Sequence, residues 1–218
     1  MNNKLFATVA AAAILATGAA SAQTMATAST DLNVRAGPGP TYEVIGMIGV
    51  DEQASILGCL EASQWCQVSY GGGEGWAYSD YLIAEYEGVE AVVTERRADI
   101  GVPVVEYQST GGGALAGGAT GAVAGALIGG PVGAVVGAVA GAATGGFTEE
   151  ALAPEARTYV MENPGETVYL DGEVVVGAQV PDTVEVREIP DYEYRYVYVN
   201  QQPVIVEPDT RRIVYIVR

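Results

Sequence analysis

Histidine is absent from this 218-residue chain, and lysine occurs once, at Lys4. Without histidine there is no Ser-His-Asp or Cys-His pair and no imidazole ligand for a metal. Beyond Lys4 there is no amine for Schiff-base or P-loop chemistry. Basic residues are scarce altogether: ten Lys and Arg stand against 27 Asp and Glu, for a formal charge of −17. A chain this acidic repels nucleic acid and anionic lipid headgroups, so neither is expected as a partner. Carboxylates are plentiful, so carboxylate-pair hydrolysis survives this exclusion. The adjacent pairs Asp51-Glu52 and Glu149-Glu150 point apart, however, and read as solvated charge.

There are two cysteines, Cys59 and Cys66. Their compartment is suggested by the first 22 residues, which have the layout of a secretory signal. Lys4 is a short positive start, Leu5 to Ala16 form an uncharged apolar run, and Ala20-Ser21-Ala22 supplies the small residues read at a cleavage site. The apolar run is shorter than the ~20 residues that span a bilayer, so cleavage before Gln23 is expected rather than anchorage. No cysteine sits near the cut, which argues against a lipid anchor. Loss of Lys4 takes the charge from −17 to −18 and leaves a chain with nine arginines and no lysine. In an oxidising compartment a Cys59–Cys66 disulfide is the expectation, with two free thiols as the alternative. Closing so short a loop contributes on the order of 2 kcal/mol.

After residues 1–22 the composition divides into 23–86, a connector at 87–110, an uncharged stretch at 111–147, and an acidic Tyr- and Val-rich end at 148–218. Each flank is near 70 residues or fewer, so each core is small and each part marginal alone. Between Ala28 and Tyr86 short apolar runs alternate with turns. Leu32 and Val34 flank Asn33, Gly37-Pro38-Gly39-Pro40 is a rigid turn, and Val44-Ile45, Met47-Ile48 and Ala54 to Leu57 follow. Trp65 to Tyr70 leads to a hairpin tip at Gly71-Gly72-Gly73 and a return strand at Gly75 to Tyr78. Five or six short strands at this spacing predict a small barrel.

LNVRAGPGPTYEVIGMI at 32–48, WCQVSY at 65–70 and GEGWAYSDYL at 73–82 resemble the bacterial SH3 family over about 60 residues. The resemblance implies a non-catalytic β-barrel of the cell envelope that binds a cell-wall component such as peptidoglycan, or a peptide. Cys59 and Cys66 would then flank one hairpin turn. Tyr42, Trp65, Tyr70 and Tyr81 are the aromatic candidates for a ligand groove. Trp65 and Trp76 read more readily as core, since so small a barrel needs large side chains to fill it. Arg35 reads as a local salt-bridge partner or, alternatively, as a contact for a carboxylate ligand.

From Tyr107 to Thr148 no residue is charged. Within that stretch glycine recurs every fourth position: Gly113, Gly117, Gly121, Gly125, Gly129, Gly133, Gly137, Gly141 and Gly145. On a helix this spacing makes a smooth stripe along which another backbone can approach. A period of four drifts from 3.6 residues per turn, and Gly129-Gly130-Pro131 interrupts the run, so two helices are expected, near 112–129 and 132–146, folded as a hairpin. GALIGGPVGAVVGA at 125–138 resembles the glycine-zipper segments of bacterial outer-membrane and surface antigens. That implies membrane association or homo-oligomerisation. Insertion is opposed by weak hydrophobicity: of the 37 residues in 111–147, 14 are Gly and 11 are Ala. A flexible linker is the plainer alternative.

In the last zone Tyr192, Tyr194, Tyr196 and Tyr198 alternate along a strand, Asn200-Gln201-Gln202 turns, Pro203 to Glu207 returns, and Arg211 to Val217 forms a third strand. Val168 to Leu170 and Glu173 to Val176 read as a hairpin turning at Asp171-Gly172. The tyrosine ladder reads as packing first and as a binding face second. YRYVYVNQQPVIVEPDTRRIVYIVR at 194–218 resembles the C-terminal module of a family of exported bacterial proteins of unknown function.

The expected fold is mainly β with an α insert: an SH3-like barrel, a Gly/Ala-rich helical hairpin and a small C-terminal antiparallel β domain. The expected function is that of a periplasmic or outer-envelope tether, without cofactor or metal and not an enzyme. A zipper-built pore and a cell-wall hydrolase or its accessory are the alternatives. A charge-free lining disfavours the pore as a selective path.

Overall fold

The computed structural model describes residues 23–107, 122–127 and 152–218. The signal layout at 1–22 lies outside these residues, as do Gly113, Gly117, Gly121, Gly129, Gly133, Gly137, Gly141 and Gly145.

The alternating N-terminal segment folds into strands as its pattern requires. These are β1 (Thr24–Ala28), β2 (Leu32–Arg35), β3 (Val44–Ile48), β4 (Gln53–Cys59), β5 (Trp65–Tyr70), β6 (Gly73–Tyr78) and, after a 3-10 turn at Ser79–Tyr81, β7 (Leu82–Tyr86). With β8 (Val89–Val92) they form one antiparallel sheet in the order β3-β2-β6-β5-β4-β1-β7-β8. Gly71 and Gly72, both at positive φ, make the two-residue tip between β5 and β6 that right-twisted strands favour. The connector is structured too. After β8 it forms α1 (Val93–Ile100), which ends at Gly101 in the left-handed conformation.

The C-terminal region begins with α2 (Pro154–Glu162), whose proline occupies the first turn, where a missing N–H costs nothing. Then come β10 (Thr167–Asp171), β11 (Arg187–Glu188), β12 (Arg195–Val199), β13 (Gln202–Val206) and β14 (Ile213–Ile216). The three-strand meander expected at the end is β12-β13-β14, antiparallel throughout. Its first turn is Asn200-Gln201, both at positive φ.

Three expectations are corrected here. First, Ala122–Leu127, placed within a helix at 112–129, is a strand, β9, lying parallel to β10. Glycine and alanine supply little side-chain packing to hold a helix, and the open edge of β10 satisfies the same backbone groups. Second, the C-terminal sheet is not wholly antiparallel, because β10 runs parallel to both β9 and β12. Third, Glu173 to Val176 does not pair back on β10. The segment leaves the sheet at Gly172 and is buried against the barrel, for the reason given below.

One apolar cluster runs through both regions. It joins Ala28, Leu32, Ile56, Val68 and Leu82 of the barrel to Leu170, Val174, Val199, Val204 and Ile213 of the C-terminal region. A second cluster lies between α2 and the other face of that sheet, where Ala156 and Val160 meet Tyr196 and Ile205. Two parts too small to bury a full core alone therefore share one.

Candidate functional site

β2 carries Leu32 and Val34 on one face and Asn33 and Arg35 on the other, as alternation dictates. All four are buried, so the polar face is covered as well. Its cover is the segment after Gly172. Arg35 Nε donates to Glu173 Oε2 at 2.5 Å and Arg35 Nη2 to Glu173 Oε1 at 2.6 Å, with both side chains at 0% exposure. Asn33 Nδ2 donates to the same Glu173 Oε1 at 3.1 Å. The pair is 138 residues apart, so Arg35 is not the local salt-bridge partner the sequence suggested.

The remaining guanidinium nitrogen points the other way. Arg35 Nη1 donates to the carbonyls of Pro40 at 3.1 Å and Tyr42 at 2.7 Å, which fixes the Gly37-Pro38-Gly39-Pro40 loop. Gln201 Nε2, from the β12–β13 turn, reaches the Thr41 carbonyl of the same loop at 3.0 Å. The loop is thus held from the C-terminal region in two ways, directly by Gln201 and through Arg35, which Glu173 orients. A Cβ on Gly37 would lie 2.4 Å from the Tyr42 ring, so glycine is what lets the ring fold over the loop.

Of the four aromatic candidates, Tyr42 is the one on this loop. Its ring meets Tyr107 edge-on at 5.8 Å, and Tyr107 meets Trp76 at 5.3 Å. Tyr42 and Tyr107 are half-buried and Trp76 is buried. Burial, and then the neighbouring Tyr107 phenol, raise the Tyr42 pKa. Trp65 and Tyr81 are buried elsewhere, joined through Tyr78: Trp65 to Tyr78 at 5.4 Å and Tyr78 to Tyr81 at 6.2 Å. Burial pushes Tyr78 up to about 12 and Tyr81 higher, with Asp80 adding to both. Tyr70 is half-buried and lays its hydroxyl over Gly46 of β3. The four rings occupy three places and do not line a common groove.

Cys59 and Cys66 form a disulfide across β4 and β5, facing each other in register. Leu60 N–H donates to the Trp65 carbonyl, so the cysteines are the neighbouring pair whose backbones face away. Cys59 N–H instead donates to Pro103 O, and its carbonyl accepts from Val105 N–H. Arg97 of α1 closes the same hairpin, donating to the carbonyls of Leu60 at 2.9 Å and Ser63 at 2.7 Å. Desolvation there lowers its pKa.

Sequence reasoning missed Asn33, Glu173, Arg97 and Tyr107. The one signal for the first two is a short strand whose polar face holds an arginine, and alternation alone reads that face as solvated. Two rungs of the tyrosine ladder face α2, and Tyr196 also packs with Ile205, its register partner on β13. Tyr196 and Tyr198 lie beneath α2 and donate to the carbonyls of Asn163 at 2.9 Å and Val160 at 3.0 Å.

An antiparallel barrel entered by LNVR and closed by GW and YL, with a disulfide hairpin, defines an SH3-type module held by a second small β module. The comparisons bear out the resemblances of the barrel and of the C-terminal module. Residues 30–83 match the bacterial SH3 domain, and residues 159–218 match a domain of unknown function, DUF1236. A stretch of 64 residues is 38% identical to a putative N-acetylmuramoyl-L-alanine amidase of Bacillus subtilis (strain 168), covering 29% of this chain and 12% of that protein. The chain therefore spans about an eighth of the relative it matches. The SH3 match and the disulfide together point to an extracellular or cell-envelope protein. Among the described residues no helix is long and apolar enough to cross a membrane, which says nothing of spanning by strands.

Proposed function

We propose that the protein is a non-catalytic component of the cell envelope whose SH3 barrel binds a cell-wall component, with peptidoglycan or a wall peptide the class favoured, at the loop carrying Tyr42. The observation that carries this reading is the division of Arg35 between Glu173 and the loop carbonyls of Pro40 and Tyr42. It gives a fixed, half-exposed aromatic ring beside a rigid Gly/Pro turn, and such preorganisation lowers the cost of binding. The likeness to a segment of a putative wall amidase supports the wall as the target, since the similarity lies in a part and not in the whole of that protein. Co-sedimentation with purified peptidoglycan tests it. The chain from Gln23 onward is expected to pellet, and Tyr42→Ala to weaken pelleting about fivefold, a loss of about 1 kcal/mol. Pelleting that survives removal of 28–86 would sink the reading.

The nine-glycine register supports a second element of the proposal. An uncharged stretch with glycine at every fourth position lets apolar backbones approach closely, as self-association or membrane contact requires. The full chain is expected to resist carbonate extraction from membranes or to elute as an oligomer, and a chain lacking 111–147 to do neither. Identical behaviour of the two would remove this element.

A further inference from the structure

The second edge of β12 is shared by two partners. β11 pairs antiparallel with Arg195 and Tyr196, whereas β10 pairs parallel with Tyr198 and Val199. Val197 lies between the two registers and has no strand partner on that edge. At this break the surface opens into a cavity of about 360 Å³, lined by residues 165–168, by Glu185 and Arg187, and by Val197 and Tyr198.

The charges around this cavity do not neutralise one another. Arg187 donates to the Asn163 carbonyl at 3.2 Å and lies 5.4 Å from the centroid of the Tyr196 ring, but it makes no ion pair among the described residues. Glu166 and Glu185 have no hydrogen-bond or ion-pair partner there either. Other arginines of this acidic chain are paired with carboxylates, among them Arg35, Arg96, Arg195 and Arg211. A guanidinium backed by an aromatic face, two carboxylates lining the same cavity, and the apolar surface of Val168 and Tyr198 are together complementary to a ligand carrying both signs of charge on a short apolar body.

We propose that this cavity is a second binding site, independent of the barrel, for an α-amino-acid zwitterion. Arg187 holds the carboxylate, Glu166 and Glu185 hold the ammonium, and Val168 and Tyr198 receive the apolar side chain. The head group belongs to a free amino acid or to the end of a peptide side chain that retains both charges.

The test is an NMR titration of the chain from Gln23 onward with valine, N-acetylvaline and valinamide, read at the amides of Gly165, Val168 and Val197 and the ring protons of Tyr198. Valine is expected to shift these signals saturably in the millimolar range, and each blocked form to bind at least about tenfold more weakly, since each removes one charged contact. Arg187→Gln is expected to bind valine and valinamide alike. Glu166→Gln, on an exposed position, is expected to narrow the difference between valine and N-acetylvaline. Absence of a saturable shift, or equal binding of all three compounds to the unaltered chain, overturns the proposal. A valine analogue carried on a peptide side chain that binds more tightly than the free amino acid identifies the peptide source.

Discussion

Arginine carries much of the specific bonding in this chain, because it is the cation available in quantity. Arg35 holds the barrel to Glu173, Arg97 holds the disulfide hairpin, and Arg211 gathers the carbonyls of Val180, Pro181 and Val184. The Arg35–Glu173 pair is fully buried, so removing one partner strands a charge away from water. Arg35→Ala or Glu173→Ala is expected to cost about 3–5 kcal/mol in urea unfolding. The double change Arg35→Met/Glu173→Leu is expected to cost less than either single, since it strands no charge. Equal costs for the double and the singles would show that the pair contributes nothing beyond its volume. Tyr78 and Tyr81 give a pH dependence. Both are held neutral by burial, with folded pKa values above the ordinary value of 10.0. The folded state therefore binds these protons more tightly than the unfolded state. Their contribution is complete below pH 10 and is lost as pH rises, through about 12 for Tyr78 and higher still for Tyr81. Absorbance at 295 nm is expected to show a late-titrating tyrosine fraction that coincides with alkaline unfolding. At this scale the sequence was partly legible. The disulfide followed from count and compartment, and the core place of Trp76 from the size of the barrel. The partner of Arg35 did not, because a contact across 138 residues leaves no local trace.

Strands were the most legible elements, since period-two alternation and glycine turns are local signals. β2 to β6 and β12 to β14 stand where alternation put them. The elements that went unread answer to tertiary contacts. Glu173 to Val176 has the composition of a strand, yet it leaves the sheet to cover β2. Val89 to Ile100, read as connector, becomes β8 and α1 because the barrel offers an edge at β7 and a hairpin for Arg97 to close. Ala122–Leu127 meets the edge of β10, a partner that a helical period cannot reveal. Two element-scale predictions follow from close contacts. A Cβ on Gly75 would stand 2.4 Å from Val34 Cγ1 and 2.9 Å from the Arg35 carbonyl, so Gly75→Ala must displace backbone. It is expected to lower stability by about 1–3 kcal/mol in urea unfolding. A neutral effect would mean that β6 and β2 are not so closely packed. Reducing the Cys59–Cys66 bond is expected to lower stability by about 2 kcal/mol without unfolding the barrel, since Arg97 and residues 103–105 hold the same hairpin. Loss of all cooperative unfolding on reduction would contradict that support.

At the scale of the molecule, two small β modules share one apolar core and one buried ion pair, and the loop that presents Tyr42 depends on both. Composition made this arrangement reasonable, because each flank is long enough for only a small core, but it could not say which faces would meet. The arrangement ties the wall-binding reading of the barrel to a residue far from the barrel in sequence. Among the described residues Glu173 makes no hydrogen bond to the loop, yet it orients the guanidinium that does. Co-sedimentation of the chain from Gln23 onward with purified peptidoglycan, compared with Glu173→Gln at a temperature where circular dichroism shows both folded, tests this most directly. The unaltered chain is expected to pellet, and Glu173→Gln to bind about tenfold more weakly. No pelleting by the unaltered chain, or equal pelleting by the two, would contradict it.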